Sequence, residues 1–193
     1  MKSFLLATAL TTAATFASAA PEKFTVDASH AQIVFSYNHV GYSTNWGMFS
    51  GFEGEIMFDQ DNPANSSVSV SMPVRSMLTG WEARFQHFMS GDFFGASEAD
   101  LITFTSTGIE VTGDNTALIT GDLSMNGNTA VVVLDAVLNQ VQPYPFGANQ
   151  GKPAAGFSAT TTVKRSDFGV GAFAPAVSDE LKVELSLEAV KLD

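Results

Sequence analysis

Residues 116–138 read TALITGDLSMNGNTAVVVLDAVL. Asn126-Gly127 is the dipeptide favoured in a two-residue hairpin turn, because both central positions need a positive φ. β-rich segments flank it, 117–125 before and 129–138 after. The same signal continues outward. Upstream, 101–111 is another β-rich run, cut from 116–125 by Gly113-Asp114-Asn115. Before it, Val68, Val70, Met72 and Val74 alternate with Ser67, Ser69 and Ser71, a period of two with one apolar and one wet face. Phe52, Ile56 and Phe58 face away from Glu53, Glu55 and Asp59, and Ile33, Phe35, Tyr37 and His39 oppose Gln32, Ser36 and Asn38. Downstream, Phe157, Ala159, Thr161 and Val163 share one parity. Val177, Leu181, Val183, Leu185, Leu187 and Ala189 oppose Glu180, Lys182, Glu184 and Glu188. The pattern gives about eight strands.

One segment departs from it. Trp81, Phe85, Phe88 and Met89, within Gly80–Ser90, recur at helical spacing and predict a short amphipathic helix. Thr79 or Gly80 is placed to cap its start and Gly91 to end it. Residues 139–153 hold Pro143, Pro145, Gly147, Gly151 and Pro153 and predict a loop. An all-β chain of this kind fits a closed up-and-down barrel or a sandwich. A barrel leaves no exposed edge, and eight strands leave room inside for one small ligand.

Composition narrows the function. The 193 residues suit one domain, and 45% hydrophobic against 15% charged excludes wholesale disorder. Nine Lys and Arg against 20 Asp and Glu give −11, so neither nucleic acid nor an anionic membrane is an expected partner. The absence of cysteine excludes disulfides, thiolate metal sites and cysteine nucleophiles. Sixteen Phe against two Trp and three Tyr point to a thick core or a greasy cavity.

Lys2, the uncharged run Phe4–Ala14 and Ala17-Ser18-Ala19 read as a secretory signal peptide over residues 1–19. The expected mature unit is a single domain over 20–193, exported to a periplasm. No later run approaches the ~20 apolar residues of a spanning helix, so no integral membrane segment is expected.

Catalytic motifs are scarce. The chain has no GxSxG, HExxH or P-loop, and no dinucleotide fingerprint followed by a helix. Glu53 and Glu55 read as surface, and Asp59, Asp61 and Asn62 as a turn lacking the spacing of a calcium loop. His30, His39 and His87 lie on separate segments without the spacing of a metal site. His39 shares the inward parity of Phe35 and Tyr37, and a polar group there needs a partner or a ligand. Arg84 borders the Trp81/Phe85/Phe88 face, where a guanidinium would anchor an anion or headgroup; the mundane alternative is an ion pair with Glu82 or Asp92.

Several blocks in order resemble one family. They are Phe24-Thr25-Val26-Asp27-Ala28-Ser29-His30, His39-Val40-Gly41, Gly47-Met48-Phe49, Phe52-Glu53-Gly54 and Phe58-Asp59 with Pro63. Then come Glu82-Ala83-Arg84-Phe85-Gln86-His87-Phe88 with Ser90 and Asp92-Phe93-Phe94, Thr103-Phe104-Thr105-Ser106, Gly121–Gly127 and Arg165-Ser166-Asp167-Phe168-Gly169. From Phe24 to Lys191 the chain resembles the YceI-like family of exported, lipocalin-like, polyisoprenoid-binding proteins. Two features depart from it. Ala99-Asp100-Leu101-Ile102 stands where the family carries a Tyr-Pro or similar, and Trp81 with Phe85 makes the helix greasier.

The resemblance implies a lipocalin-like, eight-stranded antiparallel β-barrel with one short helix between strands, around an elongated hydrophobic tunnel. It implies a polyisoprenoid, isoprenoid quinone, fatty amide or similar amphiphile as ligand, no catalysis, no cofactor beyond that bound lipid, and a possible homodimer. The residues expected at the ligand are Phe35, Tyr37, His39, Trp46, Phe49, Trp81, Arg84, Phe85, His87, Phe88 and Phe104. Arg84, His87 and His39 are expected to form a polar cluster at the mouth, with Trp81, Phe85 and Phe88 over the first part of the tail. Two other classes compete: a metal-dependent or acid/base enzyme using His39, His87 and Arg84, and a ligand-free structural or stress-response barrel. An elongated, dry, aromatic-lined cavity with one polar end favours binding, three imidazoles converging at metal-ligand distance favour the enzyme, and a closed interior favours the structural barrel.

Overall fold

The computed structural model describes residues 20–192. The expected leader over 1–19 lies outside the described residues. The strands are β1 (Glu22–His39), β2 (Ser43–Ser50), β3 (Glu53–Phe58), β4 (Ser67–Pro73), β5 (Met77–Leu78), β6 (Leu101–Gly113), β7 (Thr116–Met125), β8 (Asn128–Pro143), β9 (Pro153–Lys164) and β10 (Glu180–Val190). Among the described residues one α-helix, α1 (Glu82–Met89), stands between β5 and β6.

Every pairing is antiparallel. β2 lies on the second half of β1 and β3 on its first four residues, so the two are one wall interrupted at Gly51-Phe52. In the same way β4 lies on β3 and β5 on β2. Taking each interrupted pair as one wall, the order follows the chain, and β10 closes on β1. The result is a closed eight-stranded up-and-down barrel. That closing pair decides between barrel and sandwich.

The hairpin read from the sequence forms as expected: Asn126 and Gly127 have φ of 50° and 72°, and Met125 faces Asn128. The expected loop shrinks to 144–152, because β8 runs to Pro143 and β9 begins at Pro153. α1 starts later and ends earlier than read. Trp81 occupies the N-cap without a side-chain bond, while the Thr79 hydroxyl donates to the Trp81 carbonyl at 2.9 Å just ahead of the helix. Ser90, not Gly91, closes it, its Oγ donating to the His87 carbonyl at 2.7 Å.

β1 is bulged between Val26 and Ala31, opposite the interruption in the β2–β3 wall. Its extra residues hold themselves. The Ser29 amide and hydroxyl donate to Asp27 Oδ1 at 3.0 and 2.6 Å, and His30 Nδ1 sits 2.9 Å from Asp27 Oδ2. The Ser29 and His30 hydrogen bonds hold the Asp27 carboxyl below its ordinary range, and the Asp27 bond raises His30. A bulge bends its strand and steepens the local twist. Asp59 departs from the expected solvent-facing position. It is only 3% exposed, accepting from the Asn62 amide at 2.8 Å and organising the turn into β4.

The interior is filled unevenly. At the end where β1 begins and β10 finishes, Phe24, Phe52, Ile56, Phe58, Leu187 and Ala189 are buried. The Phe24–Phe58 and Phe58–Phe157 rings meet edge to face at 5.7 and 5.6 Å. Toward the opposite end Leu181, Val183 and Leu185 point inward yet stay only half-buried, because they face a void. Two glycines let large rings lie against the wall. Gly47 stands opposite Phe35 and a Cβ there would run into the Phe35 ring. At Gly121 a Cβ would meet the Phe104 ring and come within 2.6 Å of the Thr105 carbonyl oxygen. Gly121→Ala is therefore expected to destabilise by about 1–3 kcal/mol, the range for overpacking a filled site. Gly47→Ala costs less, because only the far end of a ring must move. Urea midpoints check the pair; a Gly121→Ala protein as stable as the parent would show that Phe104 does not lie across that backbone.

Candidate functional site

The void is a cavity of about 670 Å³ inside the barrel, within the ~300–1,000 Å³ usual for small-molecule sites. Strand parity builds its wall. Ile33, Phe35, Phe49, Val70, Met72, Ile102, Phe104, Leu123, Val132, Val163, Val183 and Leu185 all project inward from successive strands. Phe35 and Phe49 pack at 5.7 Å between ring centres. α1 and the turn after it line the open end with Arg84, His87, Phe88, Phe93 and Phe94. Phe88 meets Tyr37 edge-on at 6.2 Å.

The polar lining comes from Tyr37, His39, Ser43, Asn45, Arg84, His87, Thr161 and Arg165. Arg84 Nη1 donates to the Thr79 carbonyl at 3.1 Å, and Arg84 forms no ion pair among the described residues. The mundane partners are otherwise engaged. Glu82 accepts from Gln86 at 2.6 Å, and Asp92 sits 3.1 Å from His87 Nε2. The His87 ring also meets Phe93 edge-on at 5.1 Å. Burial raises the Tyr37 hydroxyl, and Arg84 and Arg165 pull it back down.

Arg165 opens the turn after β9 and is only 7% exposed. Its Nε donates to Ser178 O at 2.9 Å, Nη1 to Val170 O and Ala172 O at 2.9 and 3.1 Å, and Nη2 to Val177 O at 2.9 Å. Burial pushes this guanidinium down and Asp179 opposes the shift.

The three imidazoles do not converge. His39 and His87 line the cavity, whereas His30 lies on the bulge nine positions back along β1, toward the packed end. Asp27, His30 and Glu188 do place ligand atoms within 4.8 Å of one another. Those atoms already serve each other: His30 bonds Asp27, and Glu188 accepts from the Tyr144 hydroxyl at 2.9 Å. The set ties the bulge to β10 and to the β8–β9 loop.

The YceI-like domain profile matches residues 24–189, nearly all of the barrel. The chain belongs to the YceI-like domain family. A UPF0312 protein of Ectopseudomonas mendocina is 38% identical over 162 residues, covering 84% of this chain and 83% of its own length. The crystal structure of a Campylobacter jejuni YCEI protein matches with TM-score 0.71 at 28% identity, over 81% of this chain and 90% of that one. A polyisoprenoid binding domain from Saccharophagus degradans matches with TM-score 0.67 over 88% of this chain and 98% of its own; at 12% identity that likeness concerns the fold.

In this YceI-like barrel Phe35, Tyr37, His39, Phe49, Trp81, Arg84, His87, Phe88 and Phe104 line the cavity. Two expected residues do not. Trp46 pairs with Ser36 on the outer face and is 56% exposed. Its parity is opposite to that of Phe49 on the same strand, so the two cannot both point inward. Phe85 turns away from the void to pack on the core, with the Arg75 guanidinium 5.4 Å from its ring centre. The cavity-facing side of the YceI-like helix is Ala83, Arg84, His87 and Phe88, one step round from the greasy face read in the sequence. Arg165 was missed. It stands in a turn block, and its acceptors lie 5 to 13 residues away in irregular chain that no periodicity describes.

Proposed function

We propose that this YceI-like protein binds, and thereby sequesters or carries, a long-chain amphiphile. The class is a polyisoprenoid, isoprenoid quinone or fatty chain with a small polar head. The observation that carries the reading is the void itself: inward strand positions are apolar, yet they enclose space instead of filling it. Moving a tail from water into such a wall gains about 0.8 kcal/mol per methylene before ordering costs. Polar groups gathered at one end give the bound molecule a direction. The Saccharophagus degradans neighbour is named for polyisoprenoid binding and shares the fold. The leader pattern at Ala17-Ser18-Ala19 supports export to the periplasm with cleavage after Ala19.

Native mass spectrometry of protein purified from its host tests both parts. The expected protein mass starts at Ala20 or Pro21, with an added mass that leaves on denaturation and partitions into organic solvent. Protein carrying no lipid in any preparation overturns the binding reading; exported protein retaining Met1 overturns the leader.

A further inference from the structure

The charge of the ligand head follows from the ionisable side chains around the cavity, and this inference rests on the amphiphile reading above. The chain as a whole is acidic, with 20 Asp and Glu against 9 Lys and Arg. The cavity reverses that bias. Apart from Tyr37, its ionisable lining groups are Arg84, Arg165, His39 and His87, all of them basic. Their partners differ. His87 is matched by Asp92 at 3.1 Å. Arg165 has its donors on carbonyls, and Asp179, which acts on it, is held by the Ser166 amide and hydroxyl at 2.8 and 2.6 Å. Arg84 meets one neutral carbonyl and no carboxylate among the described residues. A guanidinium has five N–H donors in a fixed fork, so most of the Arg84 donors remain open. The Tyr37 hydroxyl lines the same cavity within electrostatic reach of Arg84.

A cation against an apolar, poorly screened wall attracts an anion far more strongly than it would in water. The planar fork fits carboxylate and phosphate oxygens, two bonds at once. We propose that the cavity selects amphiphiles with an oxyanion head, a carboxylate or a phosphate monoester, seated on Arg84 with the Tyr37 hydroxyl as a second donor. Heads that are neutral, such as alcohols and amides, leave that charge unmatched and bind more weakly on the same tail.

The test holds the tail constant and changes the head. Oleate, oleyl phosphate and oleyl alcohol are titrated below their aggregation limits into the delipidated full-length mature protein, with affinity read by displacement of a fluorescent fatty probe. Oleate or oleyl phosphate is expected to bind roughly 10- to 100-fold more tightly than the alcohol, the span of a hydrogen bond to a charged group. The tighter of the two anions identifies the head. Arg84→Gln is expected to abolish this preference by bringing the anions down toward the alcohol; Arg84→Lys, which keeps the charge, retains part of it. Equal affinity for alcohol and anions overturns the oxyanion proposal and leaves the amphiphile reading standing. An Arg84→Gln protein that weakens all three ligands alike overturns the role of Arg84. Failure of all three to bind overturns the amphiphile reading itself.

Discussion

Replacing Arg165 with Leu is expected to cost the protein at least about 3 kcal/mol, and to leave it unfolded if its total stability is at the low end of the ~5–15 kcal/mol usual for a domain. The side chain is a staple. Its guanidinium reaches the carbonyls of Val170, Ala172, Val177 and Ser178, and these define the path of the chain from β9 to β10. A Leu, three side-chain heavy atoms smaller, stops short of the guanidinium position and leaves four acceptors without donors. Each buried acceptor so stranded costs about 1–3 kcal/mol. Arg165→Lys is expected to fall in between, since one ammonium with three donors cannot serve four carbonyls spread around a planar fork. Urea unfolding monitors the loss, and hydrogen exchange over 166–179 should rise before the rest of the barrel opens. An Arg165→Leu protein within about 1 kcal/mol of the parent would show that solvent serves these carbonyls as well as the guanidinium does.

That staple also marks where reading the sequence stops. Alternation located the strands, because on a barrel each face of a strand meets one environment along its length. Leu181, Val183 and Leu185 therefore announced their inward side without any knowledge of their neighbours. Asn126-Gly127 announced its turn because few other dipeptides tolerate two positive φ angles. The helix was legible as an element, but not in its rotation. Trp81, Phe85 and Phe88 were assigned to the ligand together with Arg84 and His87; Trp81, Arg84, His87 and Phe88 do face the void, whereas Phe85 packs under Arg75. Helical spacing says which residues share a face, not which partner the face meets. Trp46 was placed by its chemistry and not by its parity, and the parity was the sounder guide. The bulge at Asp27–His30 and the interruption at Gly51-Phe52 depend on each other across two walls, so neither shows in a local window. Arg165 and the buried Asp59 are held by irregular backbone, which has no period to read.

Phe35→Asp is expected to destabilise by more than about 4 kcal/mol near neutral pH, against less than about 1 kcal/mol for Ser69→Asp. Phe35 is 6% exposed, lies across Gly47 and packs on Phe49. Truncating such a ring removes about 3–5 kcal/mol of transfer and packing energy by itself. The new carboxylate adds a further cost, because an ion in apolar surroundings without donors is driven toward its neutral form. Its pKa in the folded state must then lie above its unfolded value. The penalty is therefore small below the unfolded carboxyl range and grows as pH rises through and beyond it. The difference between variant and parent should shrink when both are measured at about pH 4 instead of pH 7, where an unfolded Asp of pKa ~3.9 is fully charged. Ser69 is the control. It is exposed on the outer face, and its worst neighbour is Glu55 directly across the ladder, already paired with Lys23. If Phe35→Asp loses no more stability than Ser69→Asp, the new carboxylate is solvated where the ring stood. The cavity is then wet in the free protein, and burying an apolar tail there would have to displace ordered water from a polar-tolerant wall, removing the driving force on which amphiphile binding rests.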